Sequence, residues 1–263
     1  MVYYFSGTGN SKFVAMTLAN FLGMDLKFIP EVEVKEEDAE DRILLVFPVY
    51  SWGVPPLVSK FIMDLPPWYW EKVKDSDISV DCVMTCGDEV ALAPEMITND
   101  FKKMGITLNS IWSVIMPNNY VILPGFDVDS KELERTKLEE CKGRILEISQ
   151  ALSRGDKRID VERGTMAWLK TKLVFPLFRR WGIFPKKWHS TDACISCGRC
   201  SKICPLLNVR MQGERPVWGA SCCSCLACYH ICPVHAVEYG KETKKKGQYL
   251  FPLKKISSRN YHK

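Results

Sequence analysis

Nine of the chain's twelve cysteines fall between Cys194 and Cys232, and eight of them form two runs of identical spacing. The first is Cys194-x-x-Cys197-x-x-Cys200-x-x-x-Cys204-Pro205. The second, offset by 28 residues, is Cys222-x-x-Cys225-x-x-Cys228-x-x-x-Cys232-Pro233. A disulfide scaffold would spread its cysteines differently and would need an oxidising compartment. Short, regular spacing reads instead as a metal site. Three thiolates at two-residue spacing let one tight loop wrap a small inorganic core, while the fourth projects away from that loop.

The spacing matches the bacterial run for a 4Fe–4S cluster, in which the fourth cysteine ligates the other cluster of a pair. One cluster is therefore expected on Cys194, Cys197, Cys200 and Cys232, and the other on Cys222, Cys225, Cys228 and Cys204. Zinc is the rival, but zinc sites use two pairs of ligands with a longer gap between them. Cys223 is either a packing residue or a competitor of Cys222, and spacing favours Cys222. Residues 194–233 resemble a bacterial-type two-cluster ferredoxin domain, down to the Pro after each run and Ala236-Val237 beyond the second. The resemblance implies one-electron transfer at low potential.

Residues 1–155 read differently. Apolar runs at Met1–Phe5, Leu26–Ile29, Arg42–Phe47, Ile78–Thr85 and Ile111–Met116 alternate with helical patterns at Ser11–Leu22, Leu57–Leu65 and Pro94–Met104, and with a long one capped by Ser130. Glu31–Asp41 reads as a solvated acidic connector. The expectation is an α/β fold, a doubly wound five-stranded parallel sheet covered on both faces. Ligands in such sheets sit beyond the carboxyl ends of the strands, where strand order reverses.

Three loops at those ends carry suitable chemistry. Ser6-Gly7-Thr8-Gly9-Asn10-Ser11 links a strand to a helix, and its small residues, N–H groups and hydroxyls suit a phosphate. It lacks the Lys of a Walker loop and the spacing of a dinucleotide fingerprint. Pro48, Tyr50, Trp52 and Gly53 lie in the second loop, where Trp52 is placed to stack on a planar ring. Thr85, Cys86 and Gly87 lie in the third. This combination resembles flavodoxin, which implies FMN as cofactor. Flavodoxins usually place an aromatic ring in the third loop; here Asn119 and Tyr120, after the fifth strand, are the substitutes. Cys86 is a reactive thiol by position alone, and an inert buried cysteine is the blander reading.

Residues 156–190 mix Trp168, Phe175, Phe178, Trp181, Phe184 and Trp188 with six Lys and Arg side chains between Lys170 and Lys187. Pro176 and Pro185 are expected to break any long helix. The stretch reads as a connector between two domains, 1–155 and 191–263; a membrane or partner surface is the sharper alternative. Charge is split as well. Residues 1–150 carry 14 basic against 24 acidic side chains, and residues 151–263 carry 22 against 7. Anionic clusters account for part of the basic excess.

No apolar run reaches the ~18–20 residues of a membrane span, and Met1–Phe5 lacks the features of a secretory signal. The expected location is the cytoplasm. The whole chain resembles the EFR family of flavodoxin–ferredoxin fusions of anaerobes. That resemblance implies an electron carrier with redox partner proteins, a low-potential donor or acceptor, and no nucleic acid. The alternative is a flavin-dependent reductase of a small organic substrate, with the clusters as an internal wire and Tyr50, Asp88 or Tyr120 as proton donor.

Overall fold

In the computed structural model, residues 1–39, 41–181 and 185–252 are described. Phe184 and the chain beyond residue 252 lie outside them. The first half is built on a parallel sheet of β1 (Val2–Tyr4), β2 (Leu26–Phe28), β3 (Arg42–Pro48), β4 (Ser79–Cys86), β5 (Ser110–Ile115) and β6 (Ile159–Asp160), in the order β2-β1-β3-β4-β5-β6. The first five strands follow the 2-1-3-4-5 order of the flavodoxin-like doubly wound fold, with its switch point between β1 and β3. Every inner residue of β3 is apolar and buried, as a strand covered on both faces requires. The sixth strand is one more than the sequence suggests. Two residues give no periodic signal, and β6 forms because Ile159 and Asp160 pair with Ile111 and Trp112.

Helices α1 (Asn10–Leu22), α2 (Pro56–Asp64), α3 (Pro67–Asp75), α4 (Ala93–Lys103) and α5 (Lys131–Arg154) cover the sheet. Gly9, at φ 103°, turns the chain from β1 into α1. The Ser130 hydroxyl caps α5 by accepting from Leu133 N at 3.2 Å. Pro67 is the first residue of α3, a position where its missing N–H costs nothing.

Pro176 does not break the connector. Helix α6 (Ala167–Leu169) runs through a π-turn (Lys170–Val174) into α7 (Phe175–Trp181). The wider turn before Pro176 relieves the clash its ring would make with the carbonyl of the preceding turn. Among the described residues, no helix is long and apolar enough to cross a membrane.

The sequence repeat folds as a repeat. Each cysteine run makes a loop with two left-handed residues, Ser196 and Gly198 in the first, Ser224 and Leu226 in the second. Each then enters a short helix, α8 (Arg199–Ile203) or α9 (Ala227–His230). Around them, β7 (Trp188–Ser190) pairs antiparallel with β10 (Val237–Tyr239), and β8 (Val209–Gln212) with β9 (Arg215–Trp218). The halves interlock: Val121 and Ile122, after β5, pack into the core of the cysteine half. Conversely, Tyr249 and Phe251 return to the sheet and pack among Val14, Leu18 and Trp112. Residues 249–251 thus belong structurally with the first half, although they follow the expected boundary at 191.

Candidate functional site

The Ser6–Ser11 loop is held in shape by its own polar groups. Gly9 N donates to Ser6 Oγ at 3.1 Å, and Asn10 Nδ2 donates to Pro117 O at 2.9 Å. The Ser11 and Thr85 hydroxyls lie 2.8 Å apart, tying the first loop to the third. Thr8 is buried, and its hydroxyl oxygen accepts from Asn119 Nδ2 at 2.5 Å. That leaves the Thr8 proton free to be donated.

These loops line a cavity of ≈ 100 Å³ at the carboxyl ends of the strands. Ser6, Gly7, Thr8, Asn10 and Ser11 line it from the first loop; Pro48 and Tyr50 from the second; Thr85, Cys86 and Gly87 from the third; and Asn119 and Tyr120 from the segment after β5. Gly87 gives room: a Cβ there would lie 1.8 Å from Asn118 Oδ1. Asn118 is in turn held by Asp129, whose carboxylate accepts from its N at 2.9 Å and its Nδ2 at 3.0 Å.

Gly9, Trp52 and Gly53 do not line the cavity. Tyr50 and Gly53 exchange both backbone hydrogen bonds, at 2.9 and 3.0 Å, around Ser51 and Trp52 at φ 45° and 63°. Two positive φ values in so tight a turn are the type I′ geometry. The turn directs Trp52 to other partners: its indole N–H donates to Glu89 at 2.8 Å, and Lys170 sits over its ring. Gly53 is needed elsewhere, since a Cβ there would lie 2.5 Å from the Phe175 ring. The Cys86 thiol is buried, and that burial pushes its pKa up to about 12, as in an inert cysteine. Asp88 is engaged by Lys137 and Asn118, both at 3.2 Å.

The remaining wall comes from outside the sheet half. Phe178 of α7 lines the cavity and meets the Tyr120 ring edge-on at 6.0 Å. Ser224, Cys225 and Leu226, from the second cysteine run, also line it. The approach is close: a Cβ on Gly7 would lie 2.2 Å from Cys225 O. Two buried hydroxyls here, Tyr120 Oη and Ser224 Oγ, have no hydrogen-bond partner among the described residues. Orphaned hydroxyls at the wall of a cavity fit a polar ligand. Burial pushes the Tyr50 hydroxyl's pKa well up, and the thiols of Cys225, Cys223 and Cys222 add to it. The sequence signal for this wall is faint: Leu226 stands where the first run has Gly198.

All twelve cysteines are free thiols. Cys194, Cys197 and Cys200 line one small cavity together with Cys232 of the other run. Burial raises the Cys228 pKa and the Trp218 indole opposes it, while the nearby thiols of Cys225, Cys222 and Cys204 raise it further. Each of these neighbourhoods thus includes one cysteine from the opposite run. Backbone N–H groups point at sulfur in both: Asn208 N donates to Cys204 at 3.2 Å, and Ala236 N to Cys232 at 3.1 Å. Among the described residues, no three or more His, Cys, Asp or Glu side chains converge as they would on a single metal ion. An all-thiol donor set with N–H bonds to sulfur has the chemistry of an iron–sulfur centre.

His230, buried between Cys228 and Cys232, bonds on both sides. Tyr249 N donates to its Nδ1 at 3.1 Å, and its Nε2 lies 2.7 Å from Asn119 O. Tyr249 Oη donates to Asn10 Oδ1 at 2.6 Å, and Phe251 N to Thr8 O at 2.8 Å. The returning segment therefore braces the phosphate-type loop directly.

No protein-family model and no curated protein matches the chain. Among solved structures, the Trp repressor binding protein from Bacillus subtilis is 16% identical, with a TM-score of 0.39, over 55% of this chain and 96% of its own. A flavodoxin from Streptococcus pneumonia TIGR4 is also 16% identical, with a TM-score of 0.32, over 56% of this chain and 97% of its own. At this level of overlap the likeness carries no argument about ligand or activity.

Proposed function

We propose that the chain is an electron-transfer protein that binds FMN in the sheet-half cavity and two 4Fe–4S clusters on the crossed cysteine sets. The observation that carries this reading is the contact between Gly7 and Cys225. It puts a ligand of one expected cluster in the wall of the expected flavin cavity, so the two redox sites share a boundary. When bound, the clusters exchange single electrons and the flavin stores one or two. The residues that would hold FMN are Ser6, Thr8, Asn10 and Ser11 around its phosphate, and Tyr50, Thr85, Gly87, Asn119 and Tyr120 around its ring. Fusion removes a diffusional encounter between the sites.

The carrier reading is favoured over the reductase because the expected proton donors are poorly suited to the task. Asp88 is paired outside the cavity, and burial raises the pKa of Tyr50 and of Tyr120, which makes each a weaker acid. Redox partner proteins are the expected donor or acceptor. Anaerobic redox titration with visible and EPR spectra tests the proposal. The expected content is about eight irons and one FMN per chain, with separate flavin and cluster transitions. Zinc in place of iron, or FAD in place of FMN, overturns the corresponding half.

A further inference from the structure

The two cysteine loops have the same spacing and the same backbone, yet opposite surroundings. In the first, Ser196 and Cys197 are exposed; in the second, Ser224 and Leu226 are buried, at 5% and 4% exposure. The left-handed residue between the second and third cysteines is Gly198 in one loop and Leu226 in the other, at φ 68° and 60°. Glycine takes that conformation freely, whereas leucine takes it against its own preference. The second loop therefore keeps a disfavoured residue where its twin uses the favoured one, and this residue lines the cavity. Beside it, the Ser224 hydroxyl is buried at the same cavity with no partner among the described residues, and Cys225 O packs on Gly7.

We propose that residues 224–226 form a shared element that couples flavin binding to cluster assembly. Cys225 would ligate the second cluster, while Ser224 supplies a hydrogen bond, and Leu226 an apolar contact, to the flavin. The inference rests on the FMN and cluster reading above. With no cluster to anchor Cys225, only the packing of Leu226 and the two bonds its carbonyl accepts from Tyr229 N and His230 N oppose its preference to leave the left-handed conformation, and the cavity wall is weakened. With the cluster in place the loop is already ordered, so the flavin binds to a finished site. Linkage makes the effect reciprocal: a bound flavin must hold the cluster by the same factor.

The test uses full-length protein prepared anaerobically, with FMN removed and titrated back by fluorescence quenching. Iron-loaded protein should bind FMN at least about fivefold more tightly than iron-free protein. Iron loss to a chelator should be correspondingly slower when FMN is bound. Ser224→Ala should keep its iron and cluster EPR signals but weaken FMN about tenfold. Leu226→Gly, which relaxes the backbone, should also keep its iron and weaken FMN. If either variant loses iron, protection of wild-type iron by FMN decides the matter. Equal FMN affinity with and without iron, together with no protection, overturns the coupling and leaves the cofactor reading standing. Failure of FMN to bind any form overturns both.

Discussion

His230 and Asn119 join the two halves through one partly buried hydrogen bond. Because Tyr249 N donates to Nδ1, the proton sits on Nε2, which donates to Asn119 O at 2.7 Å. His230→Leu would leave that carbonyl and the Tyr249 N–H unpaired. Each such loss costs about 1–3 kcal/mol, so stability should fall by about 2–6 kcal/mol in anaerobic denaturant unfolding. An unchanged midpoint would show that the bond bears no weight.

Thr8→Val keeps the size of the side chain and removes its hydroxyl. If that hydroxyl donates to the flavin phosphate, FMN affinity should drop by about 1.5–3 kcal/mol, as for a hydrogen bond to a charged group. Iron content should stay the same. The check is fluorescence titration of both proteins side by side.

Cys204 stands in the first run, yet its neighbours are the thiols of the second. In the double variant Cys204→Ala, Cys223→Ala, the cluster on Cys222, Cys225 and Cys228 should be lost or reduced to three irons. The cluster on Cys194, Cys197, Cys200 and Cys232 should survive, and so should the flavin. Iron analysis and EPR report the outcome. Loss of the cluster on Cys194 instead would mean that each run feeds its own centre.

Asp129 and Lys137 form a buried pair at 2.8 Å, and Asp129 also holds Asn118 at the cavity. Burial alone would raise the Asp129 pKa, but the bonds from Lys137 and Asn118 outweigh it and leave the pKa lowered. A carboxylate with a lowered folded-state pKa stabilises above its ordinary value and loses that contribution as pH falls through the folded value. Asp129→Asn should therefore destabilise the protein near neutrality. The gap from wild type should begin to narrow below about pH 4 and go on closing as pH falls through the lowered folded-state pKa. A gap independent of pH would exclude this ionisation as the cause.

The strands and the repeated loops of the two cysteine runs were legible because each has a local pattern: β3 is an unbroken apolar run, and the two runs share one spacing. The cavity's first loop was legible for the same reason, since small hydroxylated residues between a strand and a helix have few other uses. Trp52 was misplaced because a loop position says nothing of the two positive φ values that turn its ring toward Glu89. Phe178 and residues 224–226 were missed because their contact with the cavity exists only once the halves dock. No local pattern records that docking except the Leu226 departure.

The returning segment has a consequence for biosynthesis. Tyr249 and Phe251 complete the packing around α1 and brace Asn10 and Thr8, yet some 230 residues separate them from that helix along the chain. Domains generally fold in order as they leave the ribosome. Here the nascent sheet half stays unfinished until both cysteine runs have been translated. The pocket at its strand ends can mature only after both cysteine runs are available, so on the proposed reading cofactor insertion at the two sites would fall in the same late window.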